Sequence, residues 1–289
     1  MATKTQKQIE MIEEGDIFFF YRPRVETVEV HGREDIQRFF MLLAPETDGA
    51  RYRLFVVGRK KLPEVRPGEA HPEERNWALN VHTSDDPDAI RADLAAKHYA
   101  TATRGERTVG AAQPLGEGRY QLLRHGDHTE LAYGLELPKR PGPAQADFDV
   151  KEEASYIVAV KNPEMAVPPG VPAPEETPRY PESLKRLFGD RRWIDVEDPA
   201  LLDYEQTQLL LLGARRDNVQ EELGIELDEQ AETAHSMEIC RELKMCKPRT
   251  ELKTLFGGLF PEHEEMRSEN RREGKTRPAR RGQRARKKP

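Results

Sequence analysis

The tetrapeptide His125-Gly126-Asp127-His128 is the strongest candidate for chemistry in this chain of 289 residues. It lies between two apolar runs, Tyr120–His125 and Thr129–Leu137. A Gly-led two-residue loop there is a hairpin signal. The hairpin sets His125 and His128 opposite each other on one face, with Cβ atoms about 5 Å apart. Two imidazoles at that spacing suit a divalent metal, with Asp127 or Glu130 nearby. They also suit a pair that changes charge near pH 6–7. The same residues equally fit a polar hairpin tip in water, where Gly-Asp serves only the backbone turn. A catalytic metal needs a third protein ligand, and the sequence places none.

Two basic stretches are weaker candidates. Thr103-Arg104-Gly105-Glu106-Arg107 is a charged turn whose arginines suit a phosphate or carboxylate, although Glu106 competes for them. Arg59-Lys60-Lys61 resembles a small phosphate-contacting patch and also a charged cap that ends a strand, which is the reading preferred here. The phosphate loop, the dinucleotide-binding glycines, the serine-hydrolase elbow and the helical zinc-protease motif are all missing. Ser155 heads a strand without elbow glycines, and His263 has no second histidine at ligand spacing.

Charge is divided unevenly. Residues 267–289 hold 11 Lys/Arg and 2 Asp/Glu, a net +9, and the whole chain is −6, so residues 1–266 carry −15. Arg271, Arg272, Arg277, Arg280, Arg281, Arg284, Arg286, Lys287 and Lys288 have no interleaved aromatics to stack on bases. Nucleic acid met by this tail is expected to be held through phosphate, without sequence preference and with strong salt dependence. A solubilising extension is the other reading. Just before the tail, Leu252, Leu255, Phe256, Leu259 and Phe260 form an isolated apolar group, most of it at i, i+3, i+4, i+7 spacing. Segment 251–260 is therefore expected to dock, on the body or on a protein partner; Gly257-Gly258 also suits a hinge.

The elements that would position these groups are mainly strands. Gly15-Asp16 is read as a turn opening the aromatic strand 16–21, followed by strands at 25–30, 38–43 and 52–57, with a helix extended from Glu34-Asp35 as the other reading of 38–43. Both faces of 52–57 are apolar, so it belongs in the middle of a sheet. Residues 63–76 are a loop and 77–82 a strand. Asp86-Pro87 starts a helix, with Asp at the N-cap, Pro at the first helical position, and Ile90 and Leu94 on one face. Strands are expected again at 148–150 and 156–160. Seven prolines between 163 and 181 make an extended connector. A short helix at 182–188, a strand at 193–196 and a buried strand at 208–213 follow, with a helix through 203–212 as the competing reading of the last. Helices are expected from Asp217 to Gly224 and from Asp228 to about Met245.

Gly15-Asp16-Ile17 leading into an apolar strand resembles the opening of small SH3-like barrels of the plasmid growth-inhibitor ribonuclease type, and Arg38 before Phe39 is loosely similar. The resemblance covers three residues plus a pattern. The Arg-Pro that the family carries before that strand is absent, and no catalytic residue transfers.

Apolar residues make up 36% of the chain and charged residues 34%, so part of it is not expected to join a core. No apolar run reaches the roughly 18–20 residues that span a bilayer, and residues 1–14 lack a signal-peptide apolar region. The expected compartment is the cytoplasm, with no membrane partner. Cys240 and Cys246, six helical residues apart, are too distant for a disulfide and read as reduced.

The sequence thus predicts an α+β, β-rich protein: a mainly antiparallel sheet or barrel-like body with a few peripheral helices and a disordered basic C-terminal tail. Its parts are a flexible leader (1–14), the main body (15–162), the Pro-rich connector (163–181), an α/β annex packed on the body (182–246), the docking segment (247–266) and the tail (267–289). The function expected is non-catalytic binding or scaffolding. A metal-dependent hydrolase or other enzyme centred on the His125/His128 face is the alternative. No cofactor is indicated.

Overall fold

Alternating large apolar side chains dominate the strands and make a closed sheet. The structure, a computed structural model, describes residues 9–213 apart from 26, 28–29, 65–74, 102–104, 127, 139, 169–170 and 172. In chain order the elements are β1 (Ile9–Pro23), β2 (Ile36–Pro45), β3 (Tyr52–Val57), β4 (Arg75–Ser84), α1 (Pro87–Leu94), β5 (Lys97–Thr101), β6 (Gly105–Val109), β7 (Gln113–His125), β8 (His128–Leu137), α2 (Pro143–Asp147), β9 (Glu153–Lys161), α3 (Glu182–Phe188), β10 (Trp193–Asp195) and β11 (Gln208–Gly213). Nine strands form one sheet in the order β10-β9-β11-β4-β3-β2-β1-β7-β8, and a further β8–β9 pairing closes eight of them into an antiparallel barrel. Closure leaves no open edge around the barrel. One edge of β9 is shared: Glu153–Val158 pair with β8, and Ala159–Lys161 pair with β10. β5 and β6 form a separate hairpin.

The barrel interior is a packed core. Ile17, Phe19, Phe39, Met41, Phe55, Tyr133, Tyr156, Val158 and Leu211 all project into it. Phe19 stacks on Phe39 with ring centroids 6.1 Å apart and meets Tyr133 edge-on at 5.2 Å, arrangements favoured by the aromatic quadrupole. Phe148 closes one end against Tyr21 and Phe39. Tyr180, Leu201, Leu202 and α3 close the other. Phe18, Phe20, Leu42 and Leu54 point the opposite way and are also buried. α1 packs on β3 and β4 with Ile90 and Leu94 fully buried. Its Asp86 cap accepts from the Asp88 N–H, as the sequence predicts.

The β-rich antiparallel expectation matches what is observed, and 38–43, 52–57, 182–188 and 208–213 fall in the elements expected of them. Several expectations need correction. Ile9–Glu14, assigned to a flexible leader, are strand, because β1 pairs with β7 from Ile9 onward. Gly15 is not in a turn. It lies mid-strand between Pro45 and Tyr120, where an added Cβ would stand 2.2 Å from the Ala44 carbonyl oxygen. Gly118 is equally tight, 2.0 Å from the Gly134 oxygen. These glycines let neighbouring strands approach at bends of the barrel. Residues 25–30 contain no strand among their described positions, and Phe148–Val150 follow α2 without forming one. Residues 193–213 are not an annex: β11 sits in the barrel wall between β9 and β4. The helices expected after residue 216, Cys240, Cys246, the docking segment and the tail lie outside the described residues.

Candidate functional site

The β7–β8 hairpin forms as its turn signal demands. His125 and His128 are cross-strand partners and Gly126 has φ +67°. Asp127 lies outside the described residues. His128 is not at a wet tip: it is 1% exposed, and its Nε2 is 2.9 Å from Glu130 Oε1. Ser155 on β9 donates to the other carboxylate oxygen, Glu130 Oε2, at 2.6 Å. Thr129, pointing inward, donates to the Val196 carbonyl. His128 is buried because the chain around β10 packs beside it, whereas Gly126 at the tip is exposed. Glu130 stands between the Ser155 hydroxyl and the His128 ring. The imidazole therefore cannot take the serine proton directly, as nucleophile activation requires. Among the described residues no group of three or more His, Cys, Asp or Glu is arranged to hold a metal ion.

A second polar constellation runs inside the barrel. Arg53, 3% exposed at its side chain, donates through Nη1 to Glu13 Oε1 at 2.7 Å and through Nε to Asp203 Oδ1 at 2.6 Å. Tyr120 donates to the same Glu13 oxygen at 2.8 Å. The strands set these contacts, because β1, β3 and β7 turn Glu13, Arg53 and Tyr120 inward at one level. Asp203 comes from the loop before β11, which Asn80 fastens to β4. Asn80 donates to the Leu202 carbonyl, and its backbone bonds to Thr207 and Gln206. Burial, reinforced by the neighbouring Glu13 charge, pushes the Tyr120 hydroxyl well above its ordinary pKa, so it stays a donor.

Asp203 also lines the wall of an end cleft of about 550 Å³, with Arg51, Glu175, Arg179, Glu205 and Gln206. Four carboxylates and two guanidiniums border it, counting Glu176, so it favours a cationic group. Glu205 accepts from the Thr83 N–H and Gln206 from the Glu175 N–H, which hold its walls.

On the outer wall, Arg119 bridges Asp16, at 2.7 Å, and Glu46. Asp16, Glu117 and Glu136 all have raised pKa values, chiefly through burial; Arg119 opposes the rise at Asp16 and Glu136, while repulsion adds to it from Glu46 at Asp16, from Asp16 and Glu136 at Glu117, and from Asp16 at Glu136. Beside α1, the His82 Nδ1 contacts Asp93, which also receives Lys97 at 2.8 Å. Hydrogen bonds from Lys97 and His82 outweigh partial burial and lower the Asp93 pKa.

Sequence reasoning missed the Glu13–Arg53–Asp203 chain. One signal was present: Arg53 is the lone charge within the apolar run Tyr52–Val57, and a charge in a central strand needs a partner. The partners are 40 and 150 residues away in sequence, so only the fold identifies them. Compared with protein-family models, curated proteins and solved structures, the chain matches none.

Proposed function

We propose that this chain is a non-catalytic binding or scaffolding protein of the cytoplasm, whose basic tail adds non-specific phosphate or nucleic-acid contact and whose segment 251–260 docks on a protein partner. The observation that carries the reading is the filled barrel. Its inward Glu13, Arg53 and Tyr120 are engaged with one another and with Asp203, so recognition falls to the ends and to the chain beyond the barrel. The Asp203 cleft suits a cationic group of such a partner. No helix among the described residues is long and apolar enough to cross a membrane.

The test is duplex DNA binding by fluorescence anisotropy, with the full chain and with residues 1–266. The full chain is expected to bind, weakening steeply as salt rises. Equal binding by both would place the contact on the body and refute the role given to the tail. Amide exchange over 251–260 tests the docking segment, with fast exchange both alone and with lysate counting against it. The rival enzyme reading predicts zinc, manganese or nickel binding by calorimetry that His125→Ala/His128→Ala abolishes.

A further inference from the structure

The far end of β1 from Glu13 carries the opposite charge. Arg22 on β1 and Arg38 on β2 are direct partners across the antiparallel pair, which sets their Cα atoms about 5 Å apart. Like charges so placed destabilise a sheet. Next to them the Arg24 backbone N–H bonds to the Asp35 carbonyl, and Lys60 Nζ reaches the Ile36 carbonyl. Arg38 and Lys60 thus lie at the start of β2, with Arg22 and Arg24 at the end of β1 beside it. Burial lowers the Arg22 pKa and Arg38 lowers it further, while Asp93 opposes both; burial and then Arg24 lower that of Lys60.

Their partners do not neutralise them. Arg22 is 6% exposed and donates through Nη2 to the Asp93 and Ala95 carbonyls, at 2.6 and 3.3 Å, at the C-terminus of α1. Its guanidinium lies 5.5 Å from the Phe40 ring centroid, and its Nε is buried with no hydrogen-bond partner. Arg24 and Arg38 are exposed, and neither side chain forms an ion pair among the described residues. Of the nearby carboxylates, Asp93 is engaged by His82 and Lys97 and Asp35 by the His31 N–H, while Glu34 is exposed.

The adjoining turn is held in an uncommon shape. Arg59 and Lys60 have φ of 48° and 54°, the left-handed region that non-glycine residues rarely adopt. Asn76 fixes it by donating to the Gly58 and Lys61 carbonyls, at 2.6 and 2.5 Å, while accepting from the Trp77 N–H. Strain enforced in this way concentrates at functional sites.

We propose that this rim is an oxyanion site that takes a phosphate-class group between the Arg22–Arg38 pair and the Arg24–Lys60 pair. Guanidinium forks match the oxygens of a tetrahedral anion, and four cations call for more than one negative charge. An anion there would relieve the cross-strand repulsion. The site goes beyond the tail's contacts and does not depend on them.

The experiment is calorimetric titration of the full chain with inorganic pyrophosphate, so that the tail is common to every protein compared. One-to-one binding is expected, weakened at least tenfold in Arg38→Gln and in Arg24→Gln. Both residues are exposed, so a thermal melt should find these proteins folded. Arg119→Gln, on another face, should bind as the parent does. A short single-stranded oligonucleotide is then added. Displacement of pyrophosphate identifies nucleic-acid backbone as the source of the group, and absence of displacement identifies a free phosphoryl compound. Equal affinity in Arg38→Gln and the parent overturns the proposal. So does binding that vanishes in residues 1–266 while Arg38→Gln retains it.

Discussion

Replacing Arg53 with Met gives the sharpest test of the barrel's interior. Arg53 is the shared donor of two carboxylates, with side-chain exposures of 3% for Arg53, 7% for Glu13 and 24% for Asp203. Methionine fills much of the same volume but leaves the Glu13 carboxylate buried with Tyr120 as its remaining described donor. Removing one partner of a buried ion pair costs about 3–5 kcal/mol, a large share of the roughly 5–15 kcal/mol that holds a domain folded. At about 2–4 °C per kcal/mol for a domain of this size, Tm should fall by about 6–20 °C. Urea unfolding followed by fluorescence of Trp77 and Trp193, whose rings lie 4.9 Å apart, should show a lower midpoint with unchanged slope. Adding Glu13→Leu and Tyr120→Phe should restore at least half of the loss, because an apolar replacement removes the stranded charge along with its partners. A loss below about 1 kcal/mol, the scale of an exposed pair, would refute the buried chain. So would a triple variant no more stable than Arg53→Met alone.

Three further outcomes are expected. Gly118→Ala places a Cβ against the Gly134 oxygen and should prevent closure of β7 on β8, seen as loss of the cooperative melt; a parent-like melt would refute the close approach. Burial raises the Glu117 pKa above its ordinary 4.5, so the folded state holds that proton more tightly than the unfolded state. Stability from this group is then full at low pH and declines as pH rises from about 4.5. Glu117→Gln should flatten that decline above about pH 4.5 in urea titrations, whereas an unchanged pH profile would count against it. A chain ending near Leu227 should still melt cooperatively, since the described barrel strands end at Gly213; a broad, non-cooperative loss of signal would show that later residues belong to the core.

Much of the fold was legible because local physics wrote it. The Asp86-Pro87 start of α1 needs only its own residues, and so does the Gly126 turn. The two-sided apolar run at 52–57 announced a central strand because water is absent from both faces. Other features have no local trace. Gly15-Asp16 reads as a turn until Ala44 and Pro45 are brought against it. Ile9–Glu14 look like a leader because Glu10, Glu13 and Glu14 meet Arg124, Arg53 and Gln121 only once β1 is paired in the barrel. The chain Glu13–Arg53–Asp203 joins three distant segments through inward positions of a closed sheet, and closure itself depends on β8 meeting β9. His128 looks like a solvated loop residue and is buried only because the β10 region packs beside it. The Arg22–Arg38 opposition follows from strand register, with a bulge after Arg22. The sequence by itself determined composition, charge division, most strands and the caps, all governed by neighbours within a few residues. Register, barrel closure and the pairing of buried charges were decided by tertiary structure, because they depend on which distant backbones meet and on how little water remains between them.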